Sequence, residues 1–169
     1  MKSNVTLVGM PGAGKSTTGV ILAKLLSVGF MDTDLLIQIN RKSSLQDIVD
    51  KKGHLYLRKV EEKEILKINL EKCVIATGGS AVYSKKAMEY LTSISKVVFL
   101  KVSLDVLKNR ISNYNQRGLA KAKDQSFEDL FLERQPLYEK YAEIEIDCNS
   151  ISQEKAAELI AERLKVKHN

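Results

Sequence analysis

Residues 9–17, Gly9-Met10-Pro11-Gly12-Ala13-Gly14-Lys15-Ser16-Thr17, have the spacing G-x-x-x-x-G-K-[ST]. An apolar, β-branched run, Val5 to Val8, precedes them, and Val20, Ile21, Leu22, Leu25 and Leu26 follow on helical spacing. Strand, glycine loop and helix are the context in which this spacing forms a phosphate-binding loop. Glycines let backbone N–H groups close on a polyphosphate, and the helix start adds its positive dipole end. The pattern therefore implies a nucleoside-triphosphate site built from Gly12, Ala13, Gly14, Lys15, Ser16 and Thr17. Lys15 is expected to reach the β- and γ-phosphates, and Ser16 to give an oxygen to Mg²⁺.

The rest of the chain fits a fold built around that loop. Strand patterns at 29–32, 73–77, 96–100 and 144–147 alternate with helical ones at 35–39, 44–52, 55–70, 85–91, 103–111, 126–141 and beyond 153. Ser44 and Ser126, each three residues before an aspartate, predict helix starts. Alternating strands and helices predict an α/β fold, with a five-stranded parallel sheet covered by helices on both faces. Ligand residues then belong at the carboxyl ends of the strands. The 169 residues suffice for one domain. Two polar stretches interrupt the alternation: about 33–61, read as an acceptor-binding insert, and about 112–125, read as a mobile lid.

Charge and composition narrow the class of ligand. The net charge of +6 is spread over helices, with no aromatic-interleaved basic stripe, so nucleic acid is not the expected partner. A nucleotide and an anionic acceptor account for the surplus. No stretch is apolar enough to cross a membrane and no signal peptide is expected, which predicts a cytoplasmic protein. Cys73 and Cys148 have no paired spacing and read as buried thiols.

A phosphate loop needs an acid near its magnesium, usually at a strand end. Asp32 and Asp34 follow the second strand, with Asp147 their rival. Two apart in an extended segment, they would point the same way, one toward the metal and one toward an acceptor hydroxyl. They would equally serve as turn residues capping the next helix. Arg58 reads either as an anion ligand or as a solvated arginine paired with Glu61 and Glu62. Gly78 and Gly79 allow close approach of a ligand, or simply a tight turn. His54 and His168 read as surface, and the tyrosines as filler or surface. Asp50 to Gly53 matches D-x-x-G but follows a helix, and no N-K-x-D accompanies it.

Jointly these segments resemble the shikimate kinase family of nucleoside-monophosphate-kinase-like proteins, from Leu7 to about Asn149. Its Asp-x-Asp is similar to Asp32-Thr33-Asp34, and its Gly-Glu-x-x-Phe-Arg-x-x-Glu to Gly53–Glu61. Its triple glycine resembles Gly78-Gly79-Ser80, its lid Arg-Pro-Leu resembles Arg117-Gly118-Leu119, and Glu133–Tyr138 matches its Glu-Arg-x-Pro-x-Tyr. His54, Leu57, Ser80 and Gly118 depart from the pattern, in place of an acid, Phe, a third glycine and the lid proline.

The resemblance implies ATP- and Mg²⁺-dependent phosphorylation of the shikimate 3-hydroxyl, on the route to chorismate, by a monomer. It implies that Arg58 and Arg134 hold the shikimate carboxylate, and that Asp34, Gly78 and Gly79 hold its hydroxyls. Asp32 would stand in the magnesium shell, Arg117 on the phosphates and Arg110 near adenine. Lys15, Asp34 and Arg117 are the expected catalytic residues. Competing readings are another small-molecule kinase, acting on gluconate or a nucleoside monophosphate, and a nucleotide-binding regulator without an acceptor.

Overall fold

β1 (Asn4–Val8) is the central strand of the sheet and is buried along its whole length. The structure, a computed structural model, describes residues 2–111 and 119–166. β3 (Cys73–Ala76) and β4 (Ser95–Lys101) flank β1 in parallel, with Val5 opposite Val74 and Leu7 opposite Val98. β2 (Gly29–Asp32) and β5 (Ile144–Asp147) form the edges, giving the order β2-β3-β1-β4-β5. Unbroken apolar runs suit the inner strands, whose two faces are both covered. On the edge strand β5, Ile144 and Ile146 point inward and Glu145 and Asp147 outward. The five-stranded parallel α/β sheet expected from the sequence is the one observed.

All five strands run the same way, so their carboxyl ends share one side of the sheet. α1 (Lys15–Leu26) leaves β1 there. α2 (Thr33–Arg41), α3 (Leu45–Lys52) and α4 (His54–Ile65) follow β2 and close a small apolar cluster of their own, Ile37, Ile48, Leu57 and Val60. Ala120, from the chain just past the undescribed residues, completes that cluster. Buried Glu64 joins α2 to α4, accepting from Asn40 Nδ2 at 2.9 Å and Lys67 Nζ at 3.2 Å. A 3-10 turn, Ala81–Tyr83, leads into α5 (Lys85–Ile94). α6 (Leu104–Arg110), α7 (Phe127–Tyr141) and α8 (Gln153–Val166) complete the described helices.

α7 has the expected start, with Ser126 and Asp129 bonding each other's backbone N–H at 3.0 Å. α4 departs from expectation, ending at Ile65 and not at Leu70. Asn4 explains this: its Nδ2 donates to Leu70 O at 2.7 Å and its Oδ1 accepts from Cys73 N at 3.0 Å. The chain is thereby turned back into β3, with Lys72 left-handed at φ 52°. A buried amide on the neighbouring strand β1 overrides local helix propensity. Both cysteines are buried free thiols, and no described helix is long and apolar enough to cross a membrane.

Candidate active site

The loop between β1 and α1 holds Gly12 and Gly14 at φ 85° and 91°, a left-handed conformation that disfavours any side chain. Gly14 caps α1, so the first free N–H groups of that helix face the loop. Lys15 folds back over it, donating to Gly9 O at 2.7 Å and Met10 O at 3.0 Å. Burial lowers its ammonium pKa to about 8, against the pull of Asp34. A cation so placed gains from an incoming polyanion.

Asp32 serves two partners at once. Its Oδ1 accepts from Asp34 N at 2.9 Å and Leu35 N at 3.1 Å, capping α2, while its Oδ2 accepts from Ser16 Oγ. Capping and a place beside the loop serine thus coexist in one carboxylate. The expected extended geometry of the pair is not observed, because Asp34 already belongs to the first turn of α2. Helix entry, and not strand alternation, aims Asp34 at the loop. Its carboxyl is pushed well above the usual range by desolvation and by Asp32, with Lys15 and Arg134 opposing. The rival, Asp147, is exposed on the edge strand and accepts from Asn149 N at 3.0 Å.

Gly78 and Gly79 follow β3 into the same space. A Cβ on Gly78 would lie 2.3 Å from Glu61 Oε1 and 2.5 Å from Asp34 Oδ1. A Cβ on Gly79 would lie 2.6 Å from an Arg134 nitrogen and 3.0 Å from Pro11. Neither glycine is left-handed, so close approach and not turn conformation requires them. Tyr138, fully buried and stacked on Phe99 at 5.3 Å, donates to Gly79 O at 2.7 Å and anchors this turn.

Arg134 is 1 % exposed, inside α7. Its Nε donates to the Tyr83 hydroxyl at 3.3 Å and one terminal nitrogen to Ala120 O at 3.1 Å. Arg58 is not the solvated, helix-paired arginine that one sequence reading allows. Its guanidinium lies 3.6 Å from the Tyr83 ring centroid and donates to Ala120 O at 3.2 Å. Arg110, ending α6, donates to Cys148 O at 2.9 Å.

An open cleft of about 440 Å³ connects these groups. Gly12, Gly14, Lys15, Ser16 and Thr17 form its floor, with Arg110 and Gln153 at one end. Asp34, Glu61, Gly78, Gly79 and Arg134 stand at the other. Ala13 packs into the core, Asp32 reaches the cleft through Ser16, and Arg58 lies behind Ala120. Arg117 and Gly118, like His168 and residues 112–116 of the expected lid, lie outside the described residues.

Sequence reasoning missed three participants. Glu61 was read as a possible partner of Arg58 and as the last residue of a matched motif, with no role of its own, yet it is buried on the cleft wall. The tyrosines were read as filler or surface, with Tyr138 also the last residue of a matched motif, although Tyr83 supports the arginines and Tyr138 the glycine turn. No spacing rule identifies a tyrosine that supports an arginine from another element.

Ser16 and Asp32 are hard oxygen donors side by side at the lysine end of the loop, and they fit Mg²⁺. That ion is typically held by one or two protein oxygens together with substrate phosphates. No cluster of three or more His, Cys, Asp or Glu suited to a metal is found among the described residues.

The profile of the family described as "Shikimate kinase" matches residues 11–165. A shikimate kinase of Sulfurihydrogenibium sp. (strain YO3AOP1) is 36% identical over 163 residues, covering 96% of this chain and 98% of its own. The structure of shikimate kinase from Acinetobacter baumannii in complex with shikimate superposes with TM-score 0.91 at 29% identity, covering 98% of this chain and 94% of that one. The Aquifex aeolicus enzyme superposes with TM-score 0.83 at 29% identity, covering 96% of each chain. The chain belongs to the shikimate kinase family.

Proposed function

We propose that this chain transfers the γ-phosphoryl group of ATP to the 3-hydroxyl of shikimate, on the route to chorismate and the aromatic amino acids. One observation supports this most strongly. A half-buried carboxylate, Asp34, and a buried guanidinium, Arg134, stand with Lys15 around one cleft. Phosphoryl transfer requires positioning and charge stabilisation more than covalent participation by the protein. Gly12 to Thr17 cradle the phosphates, and Lys15 neutralises charge on the transferring group. Arg110 lies on the adenine side. Arg58 and Arg134 are assigned to the acceptor carboxylate, an anion that guanidinium groups bind well.

The acceptor hydroxyl rests against Asp34 and the Gly78-Gly79 backbone. Its oxygen attacks the γ-phosphorus, the bond to the β-phosphate oxygen breaks, and Asp34 takes the hydroxyl proton. Ser16 and Asp32 would hold Mg²⁺, which would supply charge neutralisation on the phosphate oxygens. Arg117 is assigned a phosphate contact from the lid, about 112–125. Residues 33–61 serve as the acceptor-binding part of a single domain. Every assigned group comes from one chain, in keeping with a monomer, and ATP and shikimate are small molecules of the cytoplasm.

Coupled ADP release with shikimate, gluconate and nucleoside monophosphates tests this. Release with shikimate alone is expected. Release with another acceptor, or independent of any acceptor, would overturn it.

A further inference from the structure

Ala120 stands between Arg58 and the cleft. It lines the cleft wall, and Arg58 lies behind it. Its carbonyl accepts from Arg58 at 3.2 Å and from Arg134 at 3.1 Å, so two guanidinium groups converge on one neutral oxygen. Among the described residues neither arginine forms an ion pair with a carboxylate of the chain; Arg134 Nε donates instead to the Tyr83 hydroxyl at 3.3 Å. The Nε of Arg58 is buried with no hydrogen-bond partner among the described residues.

A carbonyl dipole does not balance two cations. Desolvation, and Arg134 as a like charge, both work against the Arg58 cation. A carboxylate offers two oxygens and a full negative charge, and hydrogen bonds between ionised partners are roughly twice as strong as neutral ones. Arg58 cannot meet an acceptor in the cleft while Ala120 stands in front of it. Resting on the assignment of both arginines to the acceptor carboxylate, we propose that the Ala120 carbonyl is an internal stand-in for that group. The carboxylate of the acceptor displaces it, takes over the arginine bonds and uncovers Arg58. The backbone at Ala120 thereby sets acceptor affinity, and an acceptor without a negative charge cannot replace the bonds it must break.

The attachment of this segment suits such an exchange. Ala120 is seated by its methyl group, buried with Ile37, Ile48, Leu57 and Val60, and Leu119 packs half-buried on the main core. Residues 121–126 are half-buried or exposed. Their bonds are mostly local: Lys121 N donates to Leu119 O at 2.8 Å, Lys121 Nζ to Gln125 O at 3.0 Å and Gln125 N to Ala122 O at 3.2 Å. Gln125 Nε2 reaches α7 at exposed Glu133, at 3.0 Å. The turn bonds travel with the segment, so displacement breaks the two arginine bonds and unseats one methyl group. Tyr83, whose ring centroid lies 3.6 Å from the Arg58 guanidinium, holds that group in place during the exchange.

The carbonyl carbon of Ala120 reads the exchange in the wild-type protein, because accepting hydrogen bonds moves such a signal downfield. With the backbone assigned by triple-resonance NMR, saturating shikimate without nucleotide should move the Ala120 signal upfield. The uncharged methyl ester of shikimate should leave it in place. Ala120→Gly removes the seated methyl and should tighten shikimate binding about fourfold by calorimetry, the order expected for one buried methyl. An Ala120 signal unmoved at saturating shikimate, an equal shift with the ester, or weaker binding by a folded Ala120→Gly protein would overturn the proposal and leave the proposed function standing. A wild-type protein that binds no shikimate would overturn both.

Discussion

Arg58 and Arg134 donate to the same oxygen, the carbonyl of Ala120, at 3.2 and 3.1 Å, and both guanidinium groups lie against the ring of Tyr83. One residue comes from α4 and the other from α7, so neither helix alone makes the pair. Tyr83 is the shared support. Its ring faces Arg58, and its hydroxyl accepts from Arg134 at 3.3 Å. Tyr83→Ala should therefore raise KM for shikimate about tenfold through loss of the desolvated ring contact, with KM for ATP little changed. Tyr83→Phe should fall between. Steady-state kinetics with each substrate varied decides this, and a larger effect on ATP would place the pair elsewhere in the reaction.

Gly78 has no room for a methyl group. A Cβ there meets carboxylate oxygens of half-buried Asp34 and buried Glu61, the latter bonded by Ser80. Gly78→Ala should lower stability by about 1–3 kcal/mol through overpacking and reduce kcat/KM for shikimate by more than tenfold. Denaturant unfolding and acceptor kinetics measure the two effects. A fully active, equally stable variant would mean that Asp34 and Glu61 separate easily.

The Asp34 carboxyl gives a pH signature with a definite sign. Its folded pKa is raised above the ordinary value by burial and by Asp32, so folding favours its protonated form. Stability is therefore lost as pH rises from the ordinary aspartate value through the raised one. Asp34→Asn removes that loss. Its melting temperature relative to wild type, in the absence of ligands, should be higher at pH 8 than at pH 4.5 by about 3 °C. A pH-independent difference would show that Asp34 ionises normally in the fold.

Asp32 offers one oxygen to the α2 backbone and the other to Ser16. Asp32→Asn keeps an oxygen for the cap and loses the charge. The Mg²⁺ concentration for half-maximal activity should rise, with partial recovery at high Mg²⁺, while the melting temperature changes little. Unchanged Mg²⁺ dependence would confine Asp32 to capping.

Much of this was legible in the residues because it depends on local spacing. The glycine loop, the serine helix starts and the alternation of strands and helices are short-range patterns, and the sheet follows from them. The early end of α4 was not legible, since Asn4 reaches it from 66 residues away. The backbone that carries Asp34 was misjudged for a related reason: a helix begins at Thr33, and the strand pattern stops before it. Ser80 was visible only as a departure from a glycine pattern. Its partner, Glu61, lies 19 residues away on another element, and only the fold brings the two together.

Product analysis with the wild-type protein tests the central claim most directly. Incubation with ATP, Mg²⁺ and shikimate should yield ADP and singly phosphorylated shikimate mole for mole, with the phosphate on the 3-oxygen by ³¹P–¹H correlation NMR. ADP accumulating with inorganic phosphate, or a phosphate on another hydroxyl, would contradict the placement of the acceptor against Asp34.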